Sequence, residues 1–87
     1  MYLSGAQIRA ARALLRWSAD ELAKRAKLGR VTIARAEAQD GETTLTNANA
    51  DAVRRVLEEG GVILIEAGEG GPGAGPGVRL RLAPDPA

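Results

Sequence analysis

Residues Ala19 to Ala38 read ADELAKRAKLGRVTIARAEA, and the reading of this stretch decides the fold. Ser18 stands three residues before Glu21, the spacing of a capping box, and Trp17 and Leu22 flank it as a hydrophobic staple pair. A helix therefore starts at about Asp20. Gly29 favours its end, which falls between Lys27 and Gly29. A second short helix spans roughly Arg30 to Ala38. Two short helices joined by a tight turn need a small residue where they cross, and Ala23 supplies it. They also need apolar residues on the shared side, and Leu22, Ala26, Leu28, Ile33 and Ala36 have that spacing. The other side of the second helix carries Arg30, Val31, Thr32, Ala34 and Arg35, a ridge left free for a ligand.

Upstream, the same start signal appears at Ser4 and Gln7, with Leu3 and Ile8 as the staple. The helix that follows turns Ile8, Ala11, Leu14 and Leu15 inward and leaves Arg9, Arg12 and Arg16 solvated. Trp17 reads as a core plug, and Glu37 as an ion-pair partner for a first-helix arginine. Downstream, residues 39–46 (QDGETTLT) have turn chemistry. Thr46 or Asn47 caps a fourth helix running to about Glu59, with Ala50, Val53, Val56 and Leu57 inward, and Gly60-Gly61 stops it. Val62 to Ile65 is a short β-branched run and reads as a strand. Residues 67–77 hold six of the eleven glycines and form an open, mobile tip. Val78 to Leu82 alternates apolar and basic residues, the period of a half-buried strand. Pro84 to Ala87 frays. The fold class is mainly α: four helices in residues 1–60 and a C-terminal β-hairpin in residues 61–87, with no internal repeat.

Composition narrows the chemistry. The chain has no Cys and no His, which excludes disulfides, Cys or His zinc sites and His-based nucleophilic catalysis. The acids Asp51, Glu58, Glu59, Glu66 and Glu69 show no pairing with a base, so no enzyme activity, metal or cofactor is expected. Gly68 to Gly73 matches a dinucleotide-binding glycine pattern on paper, but no helix follows to hold a pyrophosphate. The longest apolar run is too short to span a bilayer, and the N-terminus lacks a basic segment leading into an apolar one. No membrane association and a cytoplasmic location are expected. Charge is uneven: residues 1–35 hold eight Lys and Arg against two acids, and residues 36–78 hold two against eight. A basic half beside an acidic half suits a protein that offers one face to a polyanion.

Residues 4–59 resemble the Xre/Cro family of helix-turn-helix regulators, which have the phage-repressor-like fold. The resemblance is carried by Arg16-Trp17-Ser18 leading into Glu21-Leu22-Ala23, and by Thr32-Ile33-Ala34-Arg35-Ala36-Glu37. The segment ending Gly77-Val78-Arg79-Leu80-Arg81 also resembles a tail seen on small bacterial members. The resemblance implies double-stranded DNA as the partner and the helix of residues 30–38 in the major groove. Arg30, Val31, Thr32 and Arg35 then face base edges; arginine matches guanine O6 and N7, and valine a thymine methyl. It implies phosphate contacts from Ser18, at a helix N-terminus, and from Lys24, Lys27, Thr43, Thr44, Thr46 and Asn47. Four residues depart from the family pattern: Lys27 replaces a usual turn glycine, Ala19 a frequent Gln, Gly29 a frequent Ser or Thr, and Ala36 a larger aliphatic.

A lone two-stranded hairpin is marginal in water and leaves open edges. Pairing with a second copy would bury Ile63, Ile65, Leu80 and Leu82, so a homodimer reading an inverted repeat is expected, acting as a transcriptional repressor. The alternative is an antitoxin, with a toxin partner, or another protein-interaction module on the same fold.

Overall fold

Ser4 opens the first helix in the way its spacing from Gln7 predicts. In the computed structural model, which describes residues 3–82, the Ser4 hydroxyl accepts from the Gln7 amide at 3.0 Å. The Gln7 side-chain oxygen accepts from the Ser4 amide at 2.9 Å, completing the box. Four helices follow: α1 (Gly5–Leu15), α2 (Ala19–Ala26), α3 (Arg30–Glu37) and α4 (Asn47–Gly60). Two strands, β1 (Val62–Ile65) and β2 (Gly77–Leu80), pair antiparallel. The fold is a mainly helical domain with one small sheet. Pro84 to Ala87, the end predicted to fray, lies outside the described residues.

The corners on either side of α2 are built alike. Arg16 and Lys27 are left-handed, with φ of 60° and 59°. The next amide closes each helix: Trp17 donates to the Arg12 carbonyl and Leu28 to the Ala23 carbonyl, both at 2.9 Å. This is the Schellman arrangement, with an apolar residue turned back on the helix it ends. The helix therefore breaks at Lys27 rather than at Gly29. Gly29 has an ordinary extended backbone and serves as the N-cap of α3 without a side-chain bond. A left-handed lysine costs about 1–2 kcal/mol that glycine avoids. Lys27→Gly should raise stability by about 1 kcal/mol once glycine's looser unfolded chain is counted, seen as a higher urea midpoint at unchanged slope.

The second predicted capping box is half formed. Ser18 accepts from the Glu21 amide at 3.0 Å, but the Glu21 carboxylate turns to Arg25, also at 3.0 Å. Among the described residues, the centre of the core is aliphatic. Ile8, Leu22, Ile33, Val53, Leu57 and Val62 are fully buried, with Ala11 and Ala36 where helices approach closely. Trp17 plugs the gap between α2 and α4 at half burial. Leu14 is 40 % exposed, contrary to its predicted inward position. It lies a quarter-turn off the buried stripe of Ile8, Ala11 and Leu15.

Arg9 and Arg12 are not the solvated surface arginines that the sequence predicts. Arg12 grips Glu37 through Nε–Oε2 at 2.6 Å and a second nitrogen to Oε1 at 2.9 Å, and donates to the Trp17 carbonyl at 3.1 Å. Arg9 donates to the Glu37 carbonyl and to the Asp40 carboxylate. Glu37 thus has the first-helix partner expected of it. The start of α1 also docks on the loop after α3: Gly5 donates to the Gly41 carbonyl, and Thr43 to that of Leu3, both at 2.9 Å.

The hairpin is held to α1 by a buried amide. Gln7 Nε2 donates to the Ile65 carbonyl at 2.9 Å and the Gly77 carbonyl at 3.1 Å, closing the loop end of the sheet against the helix. Val62 pairs with Leu80, Ile63 with Arg79, Leu64 with Val78 and Ile65 with Gly77. Directly opposite residues share a face. Val62, Leu64, Val78 and Leu80 therefore lie on the core side, and Ile63, Ile65 and Arg79 on the other. The four residues predicted to be buried together are split: Ile63 and Ile65 are on the outer face, Leu80 is on the inner one, and Leu82 lies beyond the end of β2 and is 90 % exposed. The glycine-rich tip is not open chain. Gly68 donates to the Ala74 carbonyl at 2.7 Å, and Gly68, Gly71 and Gly73 take left-handed turns.

Candidate nucleic-acid interface

Ile33 and Ala36, both fully buried, anchor α3 and force its other residues outward. Val31 is 64 % exposed, and Arg30, Ala34 and Arg35 are exposed with it. Thr32 is half-buried.

Arg30 and Arg35 differ in freedom. Arg30 Nε sits 2.9 Å from Asp20 Oδ1, which brings the first turns of α2 and α3 side by side. Arg35 makes no ion pair or side-chain hydrogen bond among the described residues. It lines an open groove with Thr32, Thr44, Leu45, Thr46 and Asn49. The floor of this groove is the start of α4, where the Thr46 hydroxyl accepts from the Asn49 amide at 3.2 Å.

The remaining predicted residues divide by position. Thr44 and Thr46 join Thr32 and Arg35 in the groove. Thr43 serves the turn instead: its hydroxyl accepts from the Leu45 amide at 3.3 Å and its amide is bonded to Leu3. Asn47 is exposed at the first position of α4. Ser18 caps α2, as expected of a residue at a helix start. Lys24 and Lys27 are exposed. Lys24 follows Asp20 by four residues and so shares the side of α2 that Asp20 turns to Arg30, and Lys27 stands at the left-handed corner that ends the helix. Arg25 lies on the opposite side, its guanidinium 4.3 Å over the Trp17 ring.

These partners change the charge picture. Of the eight cations in residues 1–35, Arg9, Arg12, Arg25 and Arg30 are held by acids. Among the described residues the uncommitted ones are Arg16, Lys24, Lys27 and Arg35. The Arg12 guanidinium is raised above its ordinary pKa, chiefly by its hydrogen bonds to Glu37, with burial opposing and the carboxylate's charge assisting. It is therefore a fixed charge inside the fold, not part of the ridge.

Sequence reasoning missed Asn49 and the Asp20–Arg30 pair. Neither has a periodic signal, because both depend on where a turn brings separate elements together. Among the described residues, no group of His, Cys, Asp or Glu could hold a metal ion, and no helix is long and apolar enough to cross a membrane. No protein-family model matches the chain, and no curated protein matches it.

Proposed function

We propose that this protein is a sequence-specific DNA-binding regulator of the helix-turn-helix type, with α3 as the recognition helix, and not an enzyme. One observation carries the reading: α3 presents Val31 and the uncommitted Arg35 on a ridge whose flank is a groove of hydroxyl and amide side chains. That set combines base-edge readers with phosphate donors. Lys24 of α2 and Lys27 at its end supply phosphate contacts, and so do Thr44 and Thr46 in the loop before α4 and Asn49 in its first turn. The protein acts as a homodimer on an inverted repeat with half-sites about 34 Å apart, and represses by occupying its operator.

The test begins with genomic fragments retained by the purified protein in dilute buffer. Arg35→Ala should weaken binding to the selected site by about 1–3 kcal/mol and relax one base preference. Lys24→Ala should weaken all sequences alike and lower the salt slope by about one. An Arg35→Ala protein that binds as the parent does would remove α3 from the interface.

Asp20 gives the second reading its support. An acid at the phosphate end of the ridge is unfavourable for DNA and suits a protein partner, as in an antitoxin. The two readings part on Asp20→Asn. For a DNA binder this change frees Arg30, removes a repulsive charge and tightens DNA binding about fivefold, in line with an exposed pair worth about 1 kcal/mol. No gain in affinity, with no DNA retained at low salt, favours the protein partner.

A further inference from the structure

The sheet has one covered edge and one open edge. In an antiparallel pair, residues alternate between bonding across to the partner strand and pointing their main-chain groups outward. Arg81 donates to the Gly61 carbonyl at 2.8 Å, one step beyond the Val62–Leu80 pair. That bond fixes the alternation: Gly61, Ile63, Arg79 and Arg81 bond within the hairpin, and Val62, Leu64, Val78 and Leu80 point outward. On β1 the outward residues are closed off, since Val62 is 1 % and Leu64 7 % exposed. On β2 Leu80 is 55 % exposed while Val78 is half-buried against the core, and no backbone bond reaches Val78 or Leu80 from outside the hairpin among the described residues.

We propose that β2 is the edge along which a second copy of this chain adds, and that Arg79 and Arg81 make this pairing depend on salt. The proposal rests on the homodimer reading above and not on DNA binding. A two-fold pairing must set outward groups against outward groups. The register centred on Leu80 does so fully, placing Leu80 against Leu80 of the partner subunit and Val78 against the partner's Leu82. It covers the two most exposed leucines of the chain, next to the buried Val62 and Leu64. The register centred on Val78 is poorer, because it opposes Leu80 with the proline at position 76, which has no N–H.

The favoured register has an electrostatic consequence. In the register centred on Leu80, Arg79 faces the partner's Arg81, and Arg81 the partner's Arg79; the register centred on Arg79, which sets Val78 against the partner's Leu80, opposes the two Arg79 side chains instead. Both arginines are exposed and have no ion-pair partner among the described residues. Four guanidinium groups then crowd one face of a four-stranded sheet. Like charges placed directly opposite destabilise a sheet, and salt screens them within about 10 Å at about 0.1 M. Such basic residues on an edge also limit further addition of strands.

Sedimentation equilibrium on the DNA-free full chain tests this. Raising NaCl from about 0.02 M to about 0.5 M should tighten dimerisation about tenfold. The double change Arg79→Thr and Arg81→Thr should tighten it by a similar factor at low salt and flatten the salt dependence. Leu80→Pro removes an outward N–H together with the leucine side chain and leaves the cross-strand bonds of the hairpin in place, so it should leave a folded monomer at every salt concentration, with circular dichroism close to the parent's. A parent protein that stays monomeric throughout overturns the proposal, as does a Leu80→Pro protein that still dimerises. Monomeric parent protein that binds a peptide of alternating glutamate and leucine would assign the edge to an acidic partner strand instead. None of these outcomes depends on DNA, so loss of the DNA reading and loss of this one remain separable.

Discussion

Gly5→Ala should cost about 3 kcal/mol or more and leave much of the protein unfolded at moderate temperature. The added carbon would sit 1.9 Å from the Gln39 carbonyl oxygen and 2.6 Å from that of Ala36. Both obstacles are main chain, so no side chain can rotate away. Relief requires α1 to lift off the end of α3. That motion breaks the bond from the Gly5 amide to Gly41 and disturbs the one from Thr43 to Leu3. The same shift would misplace the groove beside Arg35, because the 39–46 loop forms its far wall. Thermal unfolding by circular dichroism is the measurement. A melting temperature within a few degrees of the parent would show that α1 and α3 need not approach so closely. Gly41→Ala is the matched control: a carbon there meets nothing within 4 Å and should cost little.

Arg12→Ala should cost about 3 kcal/mol, because it leaves a carboxylate buried without its partner. Glu37 is only 10 % exposed and Arg12 23 %. Both nitrogen contacts from Arg12 to Glu37 are lost, as is the one to the Trp17 carbonyl. Arg12→Lys should recover little, since one ammonium cannot match a two-pronged grip. Replacing both partners with leucine removes the stranded charge and should restore most of the stability. A double-mutant cycle by urea denaturation measures the coupling. Additive losses would mean that the pair contributes nothing specific.

Much of the fold is written in local signals. Ser4 and Ser18 cap helices where their spacing from Gln7 and Glu21 indicates, Thr46 is the one of two candidate caps that starts α4, and Gly61 ends α4 in a left-handed turn. Capping depends on neighbours within four residues, so a single sequence contains all the information it needs. The buried faces of α2 and α3 were legible for the same reason. Features decided by distant approach are less legible, although Glu37 has the first-helix partner its sequence position suggests. Nothing near Gly5 marks it as a crossing point; only the position of residues 36–39 does. Arg9 and Arg12 look like ordinary surface arginines until α3 delivers Glu37 beside them. Ile63, Ile65 and Leu80 are alike in hydrophobicity, whereas register assigns each to a face. Arg30 and Arg35 have equal standing in the sequence, and only the place of Asp20 separates them.

The amide of Gln7 joins parts of the molecule made at different times. Its acceptors lie 58 and 70 residues further along the chain. On an emerging polypeptide, α1 can coil early, yet this side chain stays in water until Gly77 exists. Closure of so long a loop is slow compared with helix formation. The sheet should therefore be the last part to acquire hydrogen-exchange protection during refolding. At equilibrium the Ser4 amide, bonded to the other end of the same side chain, should lose its protection together with the strands.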